Sequence, residues 1–344
     1  MKVHLKNLNL AELESFLFSL EEKRFRFAQV TRWLYGRGAR SFEEMNNLGK
    51  EFRRKLGEKA RISRLEPGEI HTSADGTRKY RFVLEDGEAI ESVLLPERDH
   101  WTLCLSTQVG CSLGCKFCLT GKRGFSRNLT PAEIIDQILA VRPSLPPGKI
   151  IRNLVFMGMG EPLLNLENLQ QALEIIRSPS GLQFSYRHIT VSTAGLIPQM
   201  EKLFRYRHFG QLAVSLNAST DGQRSELMPI NRKYPLKDLL SACHRLPLAN
   251  RDKITFEYTL IGGVNDSVED ALRVARMLKE IRAKINLIPF NEHSASPWKR
   301  PAEEDVARFR QVLMDRGYTA VIRQSKGKDI LAACGQLGGR ANSD

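Results

Sequence analysis

Cys111-Ser112-Leu113-Gly114-Cys115-Lys116-Phe117-Cys118 places three of the chain's six cysteines within eight residues. A structural zinc site wants four closed ligands, usually as two Cys-x2-Cys-type pairs. Here there are three thiols and no partner pair. A [4Fe–4S] cube is held by thiolates, normally one per iron. Three thiolates would leave one iron with an open position where a small molecule can bind. The alternative is a zinc or iron–sulfur structural knuckle, with Cys104 as the fourth ligand.

The triplet follows the first member of a series of strand–helix repeats. Strand candidates are 101–107, 151–157, 187–193, 210–216, 254–261 and 284–290, each short, apolar and often β-branched. Helical patterns run between them: Pro131–Arg142, with Thr130 as N-cap and Glu133 at N3, then Asn168–Arg177, Leu236–Arg245, Ser267–Ile281 and Glu303–Arg316. Alternating strands and helices predict an α/β fold with a parallel sheet and right-handed crossovers. Six units fit a partial (β/α)6 TIM-like barrel; a doubly wound open sheet fits the pattern nearly as well. The triplet after the first strand favours the barrel, because chemistry sits on loops at strand C-terminal ends.

Outward from this core, residues 65–98 alternate like strands, with Ala74-Asp75-Gly76 and Glu85-Asp86-Gly87 as turns. Residues 9–60 read as short amphipathic helices carrying Leu10, Leu13, Phe16, Leu17 and Leu20 at helical spacing. The division predicted is a basic helical unit at 1–64, a small β extension at 65–98, a barrel core at 99–323 and a Gly-rich polar tail at 324–344 with a mobile end. The net charge is +13, and residues 1–64 hold 15 Lys and Arg against 8 Glu and no Asp. Such a surface suits polyanions. Arg24, Arg26, Arg32, Arg53 and Arg54 are candidates for phosphate contact. Trp33 and some neighbouring aromatics read as the small unit's core, with the arginines outside. The N-terminus has no apolar h-region, no stretch approaches a membrane span, and the cysteines form no disulfide framework. These features point to the cytoplasm.

Three further constellations carry chemistry. Met157-Gly158-Met159-Gly160-Glu161-Pro162 gives a glycine-rich strand end with a carboxylate. Ser192, Ser215-Leu216-Asn217 and Asn291 are residues at other strand ends, as if lining a pocket. Cys104 precedes the triplet by seven residues, in an apolar strand. Cys334, followed by glycine in a polar tail, is not where a core thiol is expected, whereas Cys243, inside a helix, reads as an inert core residue.

The triplet spacing resembles that of the radical S-adenosylmethionine (SAM) enzymes. Thr107–Gly121, Gly124-Phe125 with Arg127-Asn128-Leu129, Gly158–Asn165, Leu227–Asn231 and Ala332–Leu337 together look like the RlmN/Cfr family of methyl synthases, over about residues 24–338. The resemblance implies methylation of C2 of an adenosine in 23S ribosomal RNA and, in some members, transfer RNA. It implies a [4Fe–4S] cluster on Cys111, Cys115 and Cys118, and SAM contacts at Gly160, Glu161, Ser192, Ser215, Leu216, Asn217 and Asn291. Cys334 matches the methyl-accepting cysteine. A SAM-derived radical would take hydrogen from its methyl group, and the carbon would add to C2. Cys104 matches the thiol that releases the product, leaving a transient Cys104–Cys334 disulfide, and Glu91 the base that removes the C2 proton. Flavodoxin is the donor this family suggests, and monomer the default state.

One departure stands out: the family commonly has histidine where this chain has Asn217. A sister group, the Cfr-type enzymes, methylates C8 of the same adenosine with the same five cysteines. The Glu161-Pro162-Leu163-Leu164 and Gly124-Phe125 runs look more like the C2 group. A reading from another class is a non-catalytic RNA-binding protein with a structural iron–sulfur cluster. It leaves Cys334 and Glu161 without a role.

Overall fold

Ten strands make one sheet in strict chain order. They are β1 (Pro67–Thr72), β2 (Arg78–Val83), β3 (Ala89–Pro96), β4 (Trp101–Cys104), β5 (Ile151–Phe156), β6 (Ile189–Thr193), β7 (Gln211–Ser215), β8 (Ile254–Leu260), β9 (Ala283–Pro289) and β10 (Thr319–Ile322). The computed structural model describes residues 2–206, 209–249 and 251–338. From β4 to β10 every pairing is parallel, whereas β1 to β4 pair antiparallel. Among the described residues, β1 and β10 have no second partner, so the barrel stays open.

The strand–helix rhythm therefore continues one unit beyond the six read from sequence. The seventh parallel strand, β10, is short and lies at the sheet's edge, with Thr319 and Val321 exposed. Its apolar run, Ala320-Val321-Ile322, is too short to stand out as a strand by periodicity. The first strand also ends at Cys104, not 107; the chain pairs again only at Gln108–Gly110, with Phe125–Asn128.

Helices cover the outer face. Pro131–Val141 starts on a capping box: the Thr130 side chain accepts from the Glu133 amide, and the Glu133 carboxylate accepts from the Thr130 amide. Its inward residues Ile134, Ile135, Ile138 and Val141 are fully buried. Leu166–Arg177, Leu236–Arg245, Val268–Met277 and Glu303–Asp315 do the same for later crossovers.

The N-terminal residues form helices at Leu10–Phe18, Arg26–Thr31 (continuing as a π-turn to Arg37) and Lys50–Lys59. Leu13, Leu17, Val30, Trp33, Leu34, Tyr35, Phe52 and Leu56 fill their core. Arg37 lies 4.3 Å above the Trp33 ring, so this aromatic is core and its arginine is outside. A buried Lys6–Asp136 ion pair joins this unit to the barrel, supported by the Ala132 amide donating to Asn7 Oδ1 at 3.0 Å. Among the described residues, no helix is long and apolar enough to cross a membrane.

Candidate active site

Parallel strands expose alternate residues to the same face. The register pairs Ser192 with Ala213, Ser215 with Glu257, and Glu257 with Asn286, so these side chains form a ladder across β6 to β9. The ladder walls a cavity of about 1000 Å³ of empty space, part of it open to solvent. Of the residues picked from sequence, Cys111, Cys115, Cys118, Gly160, Glu161, Ser192, Ser215, Asn217, Asn291 and Cys334 all line it. Leu216 does not: its side chain is fully buried elsewhere in the core, and its amide donates to the Glu257 carbonyl at 2.9 Å. Any contact from Leu216 to a ligand would have to come from its backbone.

The three thiols ring one end of the cavity. Gly121 packs under them, where an added Cβ would sit 3.1 Å from the Cys115 backbone N and O. Burial, with neighbouring thiols and Glu161, pushes Cys111 up to about 12 and Cys115 higher still. Bare thiolates are disfavoured in such a place, and the positive charge of bound iron offsets that cost. Among the described residues, no three His, Cys, Asp or Glu side chains are arranged to hold a single metal ion. Three partly buried thiols at one end of a cavity are a donor set that would suit an iron–sulfur cluster. Cys104 is not a fourth ligand in this arrangement. It is buried at the end of β4, where burial and then the nearby Cys334 push its thiol up.

The polar wall fits a ligand carrying amino, carboxylate and ribose groups. Asn291 donates its amide to the Cys334 carbonyl at 3.1 Å, while its buried Oδ1 has no partner. An acceptor left empty in a cavity wall marks where a donor belongs. Glu161 is fixed by the Leu163 amide at 3.2 Å and the Ala194 amide at 2.8 Å, yet burial raises its carboxyl to about 7. Gly160, at φ +97°, cannot carry a side chain, because a Cβ would fall 2.5 Å from Gln108. Asn217 holds a left-handed backbone, φ 56°, which asparagine tolerates. Its Oδ1 accepts from the Thr259 amide at 2.8 Å and its Nδ2 faces Met228 Sδ at 3.3 Å. The side chain at the departure from the family pattern is thus committed to the protein.

Sequence reading missed three buried charges. Glu257 lines the cavity, held by Asn286 Nδ2 at 2.8 Å. A lone acid in the apolar run Ile254–Leu260 was the available signal. Arg224, fully buried, donates to the carbonyls of Ala194 (2.7 Å), Ser215 (3.0 Å) and Leu216 (3.1 Å) and to Asn231 Oδ1 (3.0 Å), tying two strand ends together. Lys79, on β2, sits beside Glu91.

The tail is not loose up to residue 338; its expected mobile end, 339–344, lies outside the described residues. Ala332, Ala333 and Leu337 are buried in the core. The Leu119 amide donates to the Gly335 carbonyl at 2.8 Å, and Thr120 Oγ1 to the Leu337 carbonyl at 2.8 Å, so the segment after Cys118 grips the tail. Gly335, at φ +83°, is needed there: a Cβ would meet the Phe117 carbonyl at 3.3 Å. Cys334 is exposed, but toward the cavity rather than outward. Surrounding protein pushes its thiol up to about 11. All six cysteines are free, so the expected transient Cys104–Cys334 disulfide is not the state present; both thiols are reduced and close enough for Cys334 to raise the Cys104 thiol. Glu91 lies outside the cavity lining, on β3. The β2–β3–β4 register puts Lys79, Glu91 and Cys104 on one sheet face.

The radical SAM superfamily model matches residues 105–275, and the model described as a ribosomal RNA large subunit methyltransferase N-terminal domain matches residues 3–62. A dual-specificity RNA methyltransferase RlmN of Geobacter sulfurreducens is 54% identical, over 99% of this chain and 93% of its own. This chain belongs to the RlmN family of radical SAM RNA methyltransferases. A second RlmN, from Geotalea uraniireducens, is 51% identical over 98% of this chain and 97% of its own. The crystal structure of a radical SAM methyltransferase from Sphaerobacter thermophilus superposes with a TM-score of 0.93 at 42% identity, covering 98% and 99% of the two chains. Membership in the RlmN family brings a [4Fe–4S] cluster and SAM as cofactors.

Proposed function

We propose that this enzyme methylates C2 of an adenosine in 23S ribosomal RNA, and of transfer RNA as well, through a methyl group carried on Cys334. The observation that carries the reading is the docking of the Cys334 tail onto the segment after Cys118, which sets the Cys334 thiol and the three-thiol loop around one cavity, with Cys104 buried close behind Cys334. When bound, the cluster and SAM supply the methyl group and the one-electron chemistry that makes its carbon reactive.

The chain's own residues do the rest. Cys111, Cys115 and Cys118 hold the cluster; Gly160, Glu161, Ser192, Ser215, Asn217 and Asn291 seat SAM, with Leu216 contributing backbone only. Cys334, as a thiolate, attacks the sulfonium methyl group and then presents that carbon to the base. Glu91 accepts the C2 proton. Cys104 attacks the Cys334 sulfur, freeing the methylated RNA and forming the disulfide that a donor must reduce. This places the enzyme in the reducing cytoplasm, as a monomer served by a one-electron donor such as flavodoxin. The curated relatives' name, dual-specificity RNA methyltransferase, supports two RNA classes as substrates. The basic N-terminal unit supports a polyanionic substrate.

The test is anaerobic incubation of C104A with SAM, reductant and unmodified RNA. A covalent protein–RNA adduct on a denaturing gel is expected. Normal product release without adduct would contradict the Cys334 route.

A further inference from the structure

Lys79 is a buried ammonium that the proposed reaction leaves without a role. Its side chain is 2% exposed. Its Nζ lies 3.3 Å from Glu91 Oε1 and donates to the Leu331 carbonyl at 3.4 Å. Leu331 is three residues before Cys334 and holds a left-handed backbone, φ 51°, unusual for a side chain of that size. Glu91 Oε2 in turn accepts from the Gly338 amide at 2.6 Å. Lys79 and Glu91 therefore touch the tail on both sides of Cys334.

The pairing is selective. Arg81 is the residue directly opposite Glu91 in the β2–β3 register, yet it reaches outward to Glu69. Lys79, the diagonal neighbour, takes Glu91 instead. Arg123 is engaged with Glu88 and the Ala89 carbonyl. A buried ion pair adds little net stability, and an apolar pair of similar volume often serves as well. A buried carboxylate that must act as a base, however, needs a partner to hold its charge and its direction.

We propose that Lys79 is a positioning residue for the RNA-methylating step: it fixes the direction of the Glu91 carboxylate, and by the same ammonium ties that base to the Cys334 tail. The inference rests on Glu91 being the base. The proton leaves C2 for the Glu91 carboxylate, and the C–H electron pair stays with the ring. Lys79 transfers nothing. Because Gly338 donates to the second Glu91 oxygen, the base and the methyl carrier are held together until the RNA arrives.

The experiment is a double-mutant cycle with K79M and E91Q, read at two half-reactions. Methylation of Cys334 is followed by protein mass, and 2-methyladenosine formation by nucleoside analysis. E91Q is expected to slow the RNA step by about 10²- to 10⁴-fold, the range of general-base loss. K79M should slow the same step by about 10- to 100-fold, slow it more than it slows Cys334 methylation, and add nothing to E91Q in the double variant. Amides from Leu331 to Gly338 should exchange faster in K79M. K79M at the parent rate, or effects that multiply in the double variant, would overturn the role of Lys79 while leaving Glu91 as base. E91Q at the parent rate would overturn the base assignment itself. Unchanged exchange in the tail would remove the link between Lys79 and Cys334.

Discussion

The cavity's parallel wall and the antiparallel wall behind the docked tail are built on different terms. On the parallel side, β5 to β9 and their loops present polar groups held by their own backbone surroundings: Glu161 by two amides, Asn217 by the Thr259 amide, Arg224 by three carbonyls. On the antiparallel side, β2 to β4 present Lys79, Glu91 and Cys104, bonded to or facing a tail about 250 residues away in sequence. The first wall is complete once the barrel folds. The second exists only while the tail is docked, and each of its tail contacts is a separate bond that can open. A fixed wall suits a cofactor that returns to one pose each turnover. A strapped wall suits a sulfur that must receive a methyl group, meet a large RNA and then meet Cys104.

The largest effects should come from removing the groups both walls share. C334A should lose 2-methyladenosine formation entirely while keeping its iron, so turnover by this variant would dissolve the distinction. Replacing Cys111, Cys115 or Cys118 with serine should remove the bound cluster, read as loss of iron and of its visible absorbance. On the fixed wall, R224M leaves four acceptors unpaired in a buried place and should destabilise the fold by about 3 kcal/mol, measured by chemical denaturation. On the strapped wall, D329A removes acceptors for the part-buried Ser73 Oγ and the exposed Ala74 amide. It should leave global stability nearly unchanged, speed exchange of tail amides and lower activity a few-fold. Equal loss of stability in D329A and R224M would mean the walls do not differ. The smallest effect belongs to the N-terminal arginines. Arg54 is shared between Glu51 and Glu58, and Arg24 pairs with Glu14, all at the surface. Such pairs are weak, so phosphate can compete for them. R24Q and R54Q should each flatten the salt dependence of RNA binding by about one unit of slope.

The same contrast governs what could be read from sequence. The fixed wall was largely legible, because short apolar strands end in Ser192, Ser215 and Asn291 and the glycine run ends in Glu161. Local pattern and strand-end position suffice there. Arg224 was not legible: it sits in a short polar helix, and nothing local distinguishes an arginine that turns inward. The strapped wall was legible only by resemblance. Cys334 stood out as a thiol in a polar tail, but its role, and Cys104 and Glu91 altogether, stay unreadable until the β2–β3–β4 register and the docked tail bring them together. β10 escaped because its apolar run, Ala320-Val321-Ile322, is too short to stand out.

The most direct test of the central claim is nucleoside mass spectrometry of ribosomal RNA lacking this modification, after anaerobic treatment with reconstituted enzyme, SAM and a reductant. The account predicts 2-methyladenosine, with none formed by C334A. An 8-methyladenosine product, or no methylated adenosine although the cluster is intact and SAM is cleaved, would contradict it.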